Sequence, residues 1–150
     1  DIDERTATRM YEAHHSYMPH TRSGTHHGVY LDGEIVGSIT YSPWPSQSKI
    51  RGRESKSIRE VGRVCVANDT PNLASCAMSK SQDKYVDERG DEFELLVTYV
   101  RADYEGSMFA ALKGKGWERD GISPARTPSE HDSHTHDVVT YDKERWVCEL

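Results

Sequence analysis

Two β-rich runs meet at Asp32-Gly33, and this dipeptide constrains the fold more than any other feature of the chain. Val29-Tyr30-Leu31 precedes it and Ile35-Val36-Gly37-Ser38-Ile39-Thr40-Tyr41 follows it. Asp-Gly accepts positive φ at both central positions, which a two-residue turn between twisted strands demands. A β-hairpin is therefore expected here.

The flanking segments extend this start. Residues 4–17 carry helix formers with apolar Ala7, Met10, Tyr11 and Ala13 near a helical period, and Pro19 closes the stretch. Pro43 and Pro45 break the second hairpin strand, and the polar, basic stretch to Lys56 reads as a loop. A strand is expected over 58–66. Thr70-Pro71 then has the form of an N-cap followed by proline at the first helical position, with Leu73, Cys76, Ala77 and Lys80 giving a helical stripe to about Val86. Residues 93–100 form a continuous apolar run of the kind buried on both faces. Met108, Phe109 and Leu112 suggest a short helix closed by Gly114 and Gly116, and Trp117 begins another strand. Residues 123–136, rich in Pro, Ser, Asp and His, read as a loop, with a last strand or hairpin over 138–141 and 145–147. This order implies an α/β fold: a mixed, mostly antiparallel central sheet with helices on both faces. At 150 residues one domain is expected, its core at about 12–122 and the remainder a His-rich loop and final strand.

Bulk properties narrow the function classes. No apolar run approaches the roughly 20 residues of a membrane span, and the first residues lack the basic start of a signal peptide. A soluble, cytoplasmic protein without membrane partners is expected. Cys65, Cys76 and Cys148 are widely spaced and form no C-x-x-C pair, consistent with reduced thiols. A net charge of −6 argues against coating nucleic acid by bulk electrostatics. Lys49, Arg51, Arg53, Lys56, Arg59 and Arg63 nevertheless cluster along one segment, either as a solvated loop or as a local basic track.

Gly106-Ser107-Met108-Phe109-Ala110-Ala111-Leu112-Lys113-Gly114-Lys115-Gly116-Trp117-Glu118 resembles the closing segment of the GNAT acyltransferases, where a short helix ends in glycine before an aromatic strand. That family carries a glycine-rich turn whose backbone amides hold the pyrophosphate of coenzyme A. Here the turn reads Asn68-Asp69-Thr70-Pro71-Asn72-Leu73-Ala74-Ser75, without glycine and with Asp69 placed to repel a phosphate. A narrower group is resembled more closely: the phage Mom-like proteins, a GNAT-like family that converts adenine in DNA to a carbamoylmethyl form and so blocks restriction enzymes. His14-His15-Ser16-Tyr17-Met18-Pro19 resembles its His/Ser/Met-Pro motif. Asn72-Leu73-Ala74-Ser75 resembles its Asn-x-x-Ser motif, and Leu96-Val97-Thr98-Tyr99, continuing to Gly106, resembles its strand before the last helix. Where that group tends to carry Asp after the strand tyrosine and Tyr inside the last helix, this chain has Val100-Arg101 and Phe109, with Asp103 and Tyr104 nearby as substitutes.

The resemblance implies a phage-type enzyme transferring a small acyl-derived group to a nucleobase amine, with acetyl-CoA or another acyl donor and DNA as partner. A homodimer is left open. Two alternatives stand beside it: an acetyl-CoA-dependent N-acetyltransferase acting on a small amine or protein, and a non-catalytic nucleic-acid-binding module on a degenerate scaffold. Acyl transfer to an amine needs a proton acceptor and donors for the developing oxyanion. His14, Ser75, Asp103 and Tyr104 are the catalytic candidates, and Asn72, Leu73, Ala74 and Ser75 the cofactor-binding turn. Each has a plainer reading: His14 as a surface residue of the first helix, Asn72, Ser75 and Asp103 as helix caps. A base must leave the duplex to react, so Trp44 beside Lys49, Arg51, Arg53 and Lys56 is the candidate nucleic-acid surface; otherwise Trp44 packs over the hairpin. His131, His134 and His136 are candidate ligands for zinc or iron, since His134 and His136 would share a face in a strand. His26-His27 is a second, weaker metal candidate.

Overall fold

The computed structural model describes residues 1–14, 23–68, 70–101, 112–123 and 142–150. Helix α1 spans Glu4–His14, strands β1 and β2 span Thr25–Leu31 and Glu34–Pro43, and β3 spans Ile58–Val66 after a 3-10 turn at Ser55–Ser57. Helix α2 spans Leu73–Arg89, followed by β4 (Leu95–Arg101), β5 (Glu118–Ser123) and β6 (Lys143–Glu149). The strands form one six-stranded sheet in the order β1-β2-β3-β4-β6-β5. Every neighbouring pair is antiparallel except β3 and β4.

The hairpin turn is the expected one. Asp32 and Gly33 adopt φ of 51° and 84°, and β1 closes on β2 through Leu31 opposite Glu34. Strand alternation then sorts the side chains onto two faces. Ile39, Val61, Leu96, Trp146 and Cys148 join Met78, Tyr85 and Phe93 in the larger core, beneath α2. Other strand residues point the other way: Cys65 packs with Ala7 and Tyr11 of α1, while Ile58, Leu95, Val97 and Val147 pack with Ile50. Strand β4 is buried on both faces from Leu95 to Thr98, as its apolar run requires. Each such leucine contributes about 1.5–3 kcal/mol by leaving water.

Both helices begin on local polar chemistry. Asp3 Oδ1 accepts the Thr6 N–H at 2.7 Å ahead of α1, which holds the Asp3 carboxyl below its usual range. The start of α2 departs from expectation. Thr70 does not cap it; the Thr70 N–H and hydroxyl both donate to Asn68 Oδ1 instead. This Asx-type turn leaves Asn72, in the left-handed region at φ 62°, as the residue preceding the helix. The helix also runs one turn past Val86, to Arg89.

The largest revision concerns the C-terminal strand. Strand β6 lies between β4 and β5, pairing with β4 from Leu95↔Glu149 to Arg101↔Lys143, and Trp146, Val147 and Cys148 are buried. The core therefore extends well past residue 122. Strand β2 likewise continues through Pro43, which carries no N–H for a ladder bond. The short helix expected at 108–112 and the strand at 138–141 fall largely outside the described residues, apart from a helical turn at 112–114. Deleting residues 143–150 strips β4 and β5 of their shared partner. Thermal unfolding followed by circular dichroism should then lose its cooperative transition; a truncated chain melting like the full one would refute this placement of β6.

Candidate functional site

Strands β3 and β4 pair over only four rungs, Ile58↔Leu95 through Val61↔Thr98. The last rung is fastened by the buried Thr98 hydroxyl, which donates to the Val61 carbonyl at 2.9 Å. Beyond it the strands part company: β3 stays with β2 as far as Val66, and β4 stays with β6 as far as Arg101. The sheet thus opens as a fork toward the C-terminal ends of its two parallel strands. Ligands of α/β sheets gather at such ends, where the loops leave the sheet.

Helix α2 starts just past the upper arm of the fork. Leu73 N–H bonds to Thr70 O and Cys76 N–H to Asn72 O, so Ala74 and Ser75 hold the first-turn amides that helix geometry leaves over. The expected cofactor turn Asn72-Leu73-Ala74-Ser75 is therefore at the helix start. The Ser75 hydroxyl donates to Asn72 O at 3.0 Å, bracing the turn. Asp69 lies outside the described residues.

On the face opposite α2, Glu60 and Tyr99 flank the last rungs, each two residues along its strand from the packed pair Ile58 and Val97. Tyr99 stacks on Trp44 with ring centroids 6.0 Å apart, so Trp44 covers the fork rather than the hairpin. Burial raises the Tyr99 pKa above that of a free phenol against the opposing pull of an Arg145 hydrogen bond. The phenol therefore stays protonated at neutral pH. Neither Glu60 nor Tyr99 stood out in the sequence as a site residue. Their one signal was position, in the two runs that became the parallel pair.

The other expected residues are dispersed. His14 is exposed at the end of α1, on the opposite face of the sheet from α2, and among the described residues nothing links it to Ser75. Asp103, Tyr104, His131, His134 and His136 lie outside the described residues. His26 and His27 cannot share an ion, because alternation places them on opposite faces: His26 Nδ1 meets Thr40 Oγ1 at 2.9 Å and His27 Nδ1 meets Ser81 Oγ at 2.7 Å. The basic segment is also altered by its setting. Arg51 bridges Glu118 and Asp120, each at 3.1 Å, and Arg53 meets Glu149 at 2.8 Å. These two cations tie the 44–57 loop to β5 and β6, while Lys49 and Lys56 are exposed.

Known structures share this fold. The fold matches an acetyltransferase from Bacillus cereus ATCC 14579, described as an IAA acetyltransferase, with a TM-score of 0.64 at 14% identity, over 99% of this chain and 96% of that one. It matches the ribosomal-protein-S18-alanine N-acetyltransferase of Escherichia coli with a TM-score of 0.63 at 11% identity, over 99% and 88%. A GNAT family acetyltransferase from Elizabethkingia anophelis, solved with acetyl-CoA bound, matches at 0.59 and 16% identity, over 85% and 77%. No family model and no curated protein matches the sequence. The chain has the GNAT acetyltransferase fold.

Arg51→Ala should lower stability on the order of 1 kcal/mol, the scale of a partly exposed ion-pair network, and leave affinity for duplex DNA unchanged. Urea unfolding and a fluorescence anisotropy titration check both halves. A marked loss of DNA affinity would return Arg51 to a nucleic-acid track.

Proposed function

We propose that the chain is an acyl-CoA-dependent N-acyltransferase acting on an amine. The fork between β3 and β4 carries this reading, supported by the shared fold with acetyltransferases, one of them solved with acetyl-CoA. Past Val61, the edge of β3 that faced β4 has no strand partner among the described residues. The backbone along this edge can take an extended, amide-bearing ligand arm as an added strand would be taken. The diphosphate end of coenzyme A then meets the free amides at the start of α2. The free amides are those of Ala74 and Ser75, in a turn Asn72-Leu73-Ala74-Ser75 without a glycine, so the approach of a phosphate is less open than in a glycine-rich turn.

In this reading Glu60 takes the proton from the attacking amine as nitrogen bonds to the thioester carbon. The tetrahedral oxyanion is held by a backbone amide of the β3 edge past Val61. Collapse breaks the carbon–sulfur bond, and the departing thiolate takes a proton from the protonated Tyr99 phenol or from solvent. Trp44, stacked on Tyr99, walls the acceptor side. His14 and Ser75 stay in reserve: Ser75 as part of the turn, His14 as a residue that could approach the fork only from the α1 face.

Nucleobase modification is the narrower alternative. It rests on the three-motif resemblance, and the ion pairs of Arg51 and Arg53 remove two of the cations that a backbone track would use.

Isothermal titration with acetyl-CoA should show binding, and thiol release in the presence of a panel of amines should show turnover. Glu60→Gln should reduce kcat by about 10²- to 10⁴-fold with little change in donor affinity. A folded chain that binds neither acetyl-CoA nor CoA sinks the proposal. A new nucleoside in digested DNA from expressing cells would instead move the acceptor to DNA.

A further inference from the structure

The His27 side chain is buried on the α2 face of β1, far along the helix from its N-terminal turn. Its Nδ1 is engaged by Ser81 Oγ at 2.7 Å, and Tyr41 stands against the ring with centroids 5.5 Å apart. These contacts fix the ring plane and leave Nε2 on the side of Asp1. That nitrogen is fully buried and has no hydrogen-bond partner. What it faces is acidic: Asp1 Oδ1 lies 3.5 Å away, and Glu88 completes a trio whose ligand atoms all lie within 4.8 Å of one another.

Lys84 is a neighbouring cation, 2.9 Å from Asp1 Oδ1 and 2.5 Å from Glu88 Oε1. This ammonium pairs with both carboxylates and gives nothing to the imidazole. A divalent ion would balance both carboxylates and use the Nε2 lone pair. Burial, helped by Lys84, holds the His27 pKa down to about 4, so the ring is neutral at physiological pH as ligation requires. Ser81 occupies the place of the partner that commonly orients a metal-bound histidine through its other nitrogen.

We propose that His27 Nε2 and the carboxylates of Asp1 and Glu88 form a binding site for a divalent transition metal of the zinc class. Imidazole nitrogen with two carboxylates suits zinc, which takes such ligands at about 2.0–2.2 Å, with water in the fourth position. The exposed carboxylates of Asp1 and Glu88 close on the fixed imidazole, and the Lys84 ammonium swings out to solvent. The ion then staples the segment before α1 and strand β1 to the second half of α2. This site is independent of the acyl-transfer reading.

The test is a calorimetric titration of chelator-stripped full chain with zinc chloride, paired with thermal unfolding. Wild type should bind zinc and gain thermal stability. Glu88→Gln, a surface change that spares the fold, should weaken the affinity by at least about tenfold and abolish the stability gain. Lys84→Met, which removes the competing ammonium, should bind zinc several-fold more tightly. Absence of zinc binding by wild type would overturn the proposal. So would isotherms that coincide for wild type, Glu88→Gln and Lys84→Met, since zinc would then sit elsewhere on the chain.

Discussion

The parallel contact between β3 and β4 holds the molecule together at its narrowest point. On one side stand β1, β2 and β3, on the other β4, β6 and β5, and four rungs with the Thr98–Val61 bond are the ladder between the halves. Apolar packing reinforces the join on both faces, with Ile58 and Leu95 below and Val61 and Leu96 above. The shortness of this contact matters as much as its existence. A longer ladder would satisfy the arms of the fork with each other and leave no backbone for a ligand. The fold therefore trades ladder bonds for an opening, and the buried core at its base carries the load.

Around that opening the charges are arranged to hold surface segments in place. Arg51 and Arg53 reach from the 44–57 loop to carboxylates about seventy to a hundred positions away, and Arg145 adds a second cation on Asp120 at 2.6 Å. The loop in turn presents Trp44 to Tyr99. A stretch that is basic in the linear chain is thus in part a clasp in the folded one. Ionic attachments of this kind are weak singly and gain from sharing partners.

Much of the architecture could be read from local chemistry. Asp32-Gly33 specified its turn because few dipeptides accept two positive φ values. The bounds of β3 and the double burial of β4 followed from apolar patterning, since a strand covered on both faces has no reason to alternate. The first turn of α2 was misread for an equally local reason: the Asn68 carboxamide competes for Thr70 and wins. Long-range features were invisible. Nothing in residues 143–149 says that they slip between β4 and β5, and nothing in Arg51 names Glu118 as its partner. The fork is a property of register between segments more than thirty residues apart, so the helix-start half of the site was legible while Glu60 and Tyr99 were not. The separation of His26 from His27 was available all along in the two-residue strand period.

The insertion of β6 between β4 and β5 sets the order in which the molecule can be assembled. Strand β5 is made well before its neighbour, yet it has no place in the sheet until the chain has returned through residue 149. During synthesis the hairpin, β3, α2 and β4 can gather while the outer edge of β4 stays open, exposing Leu95, Leu96 and Val97. Closure of that edge is a non-local event, slow by topology and prone to capture by other exposed strands. Nascent chains of this protein are accordingly most vulnerable to aggregation in the interval between the emergence of β4 and that of β6.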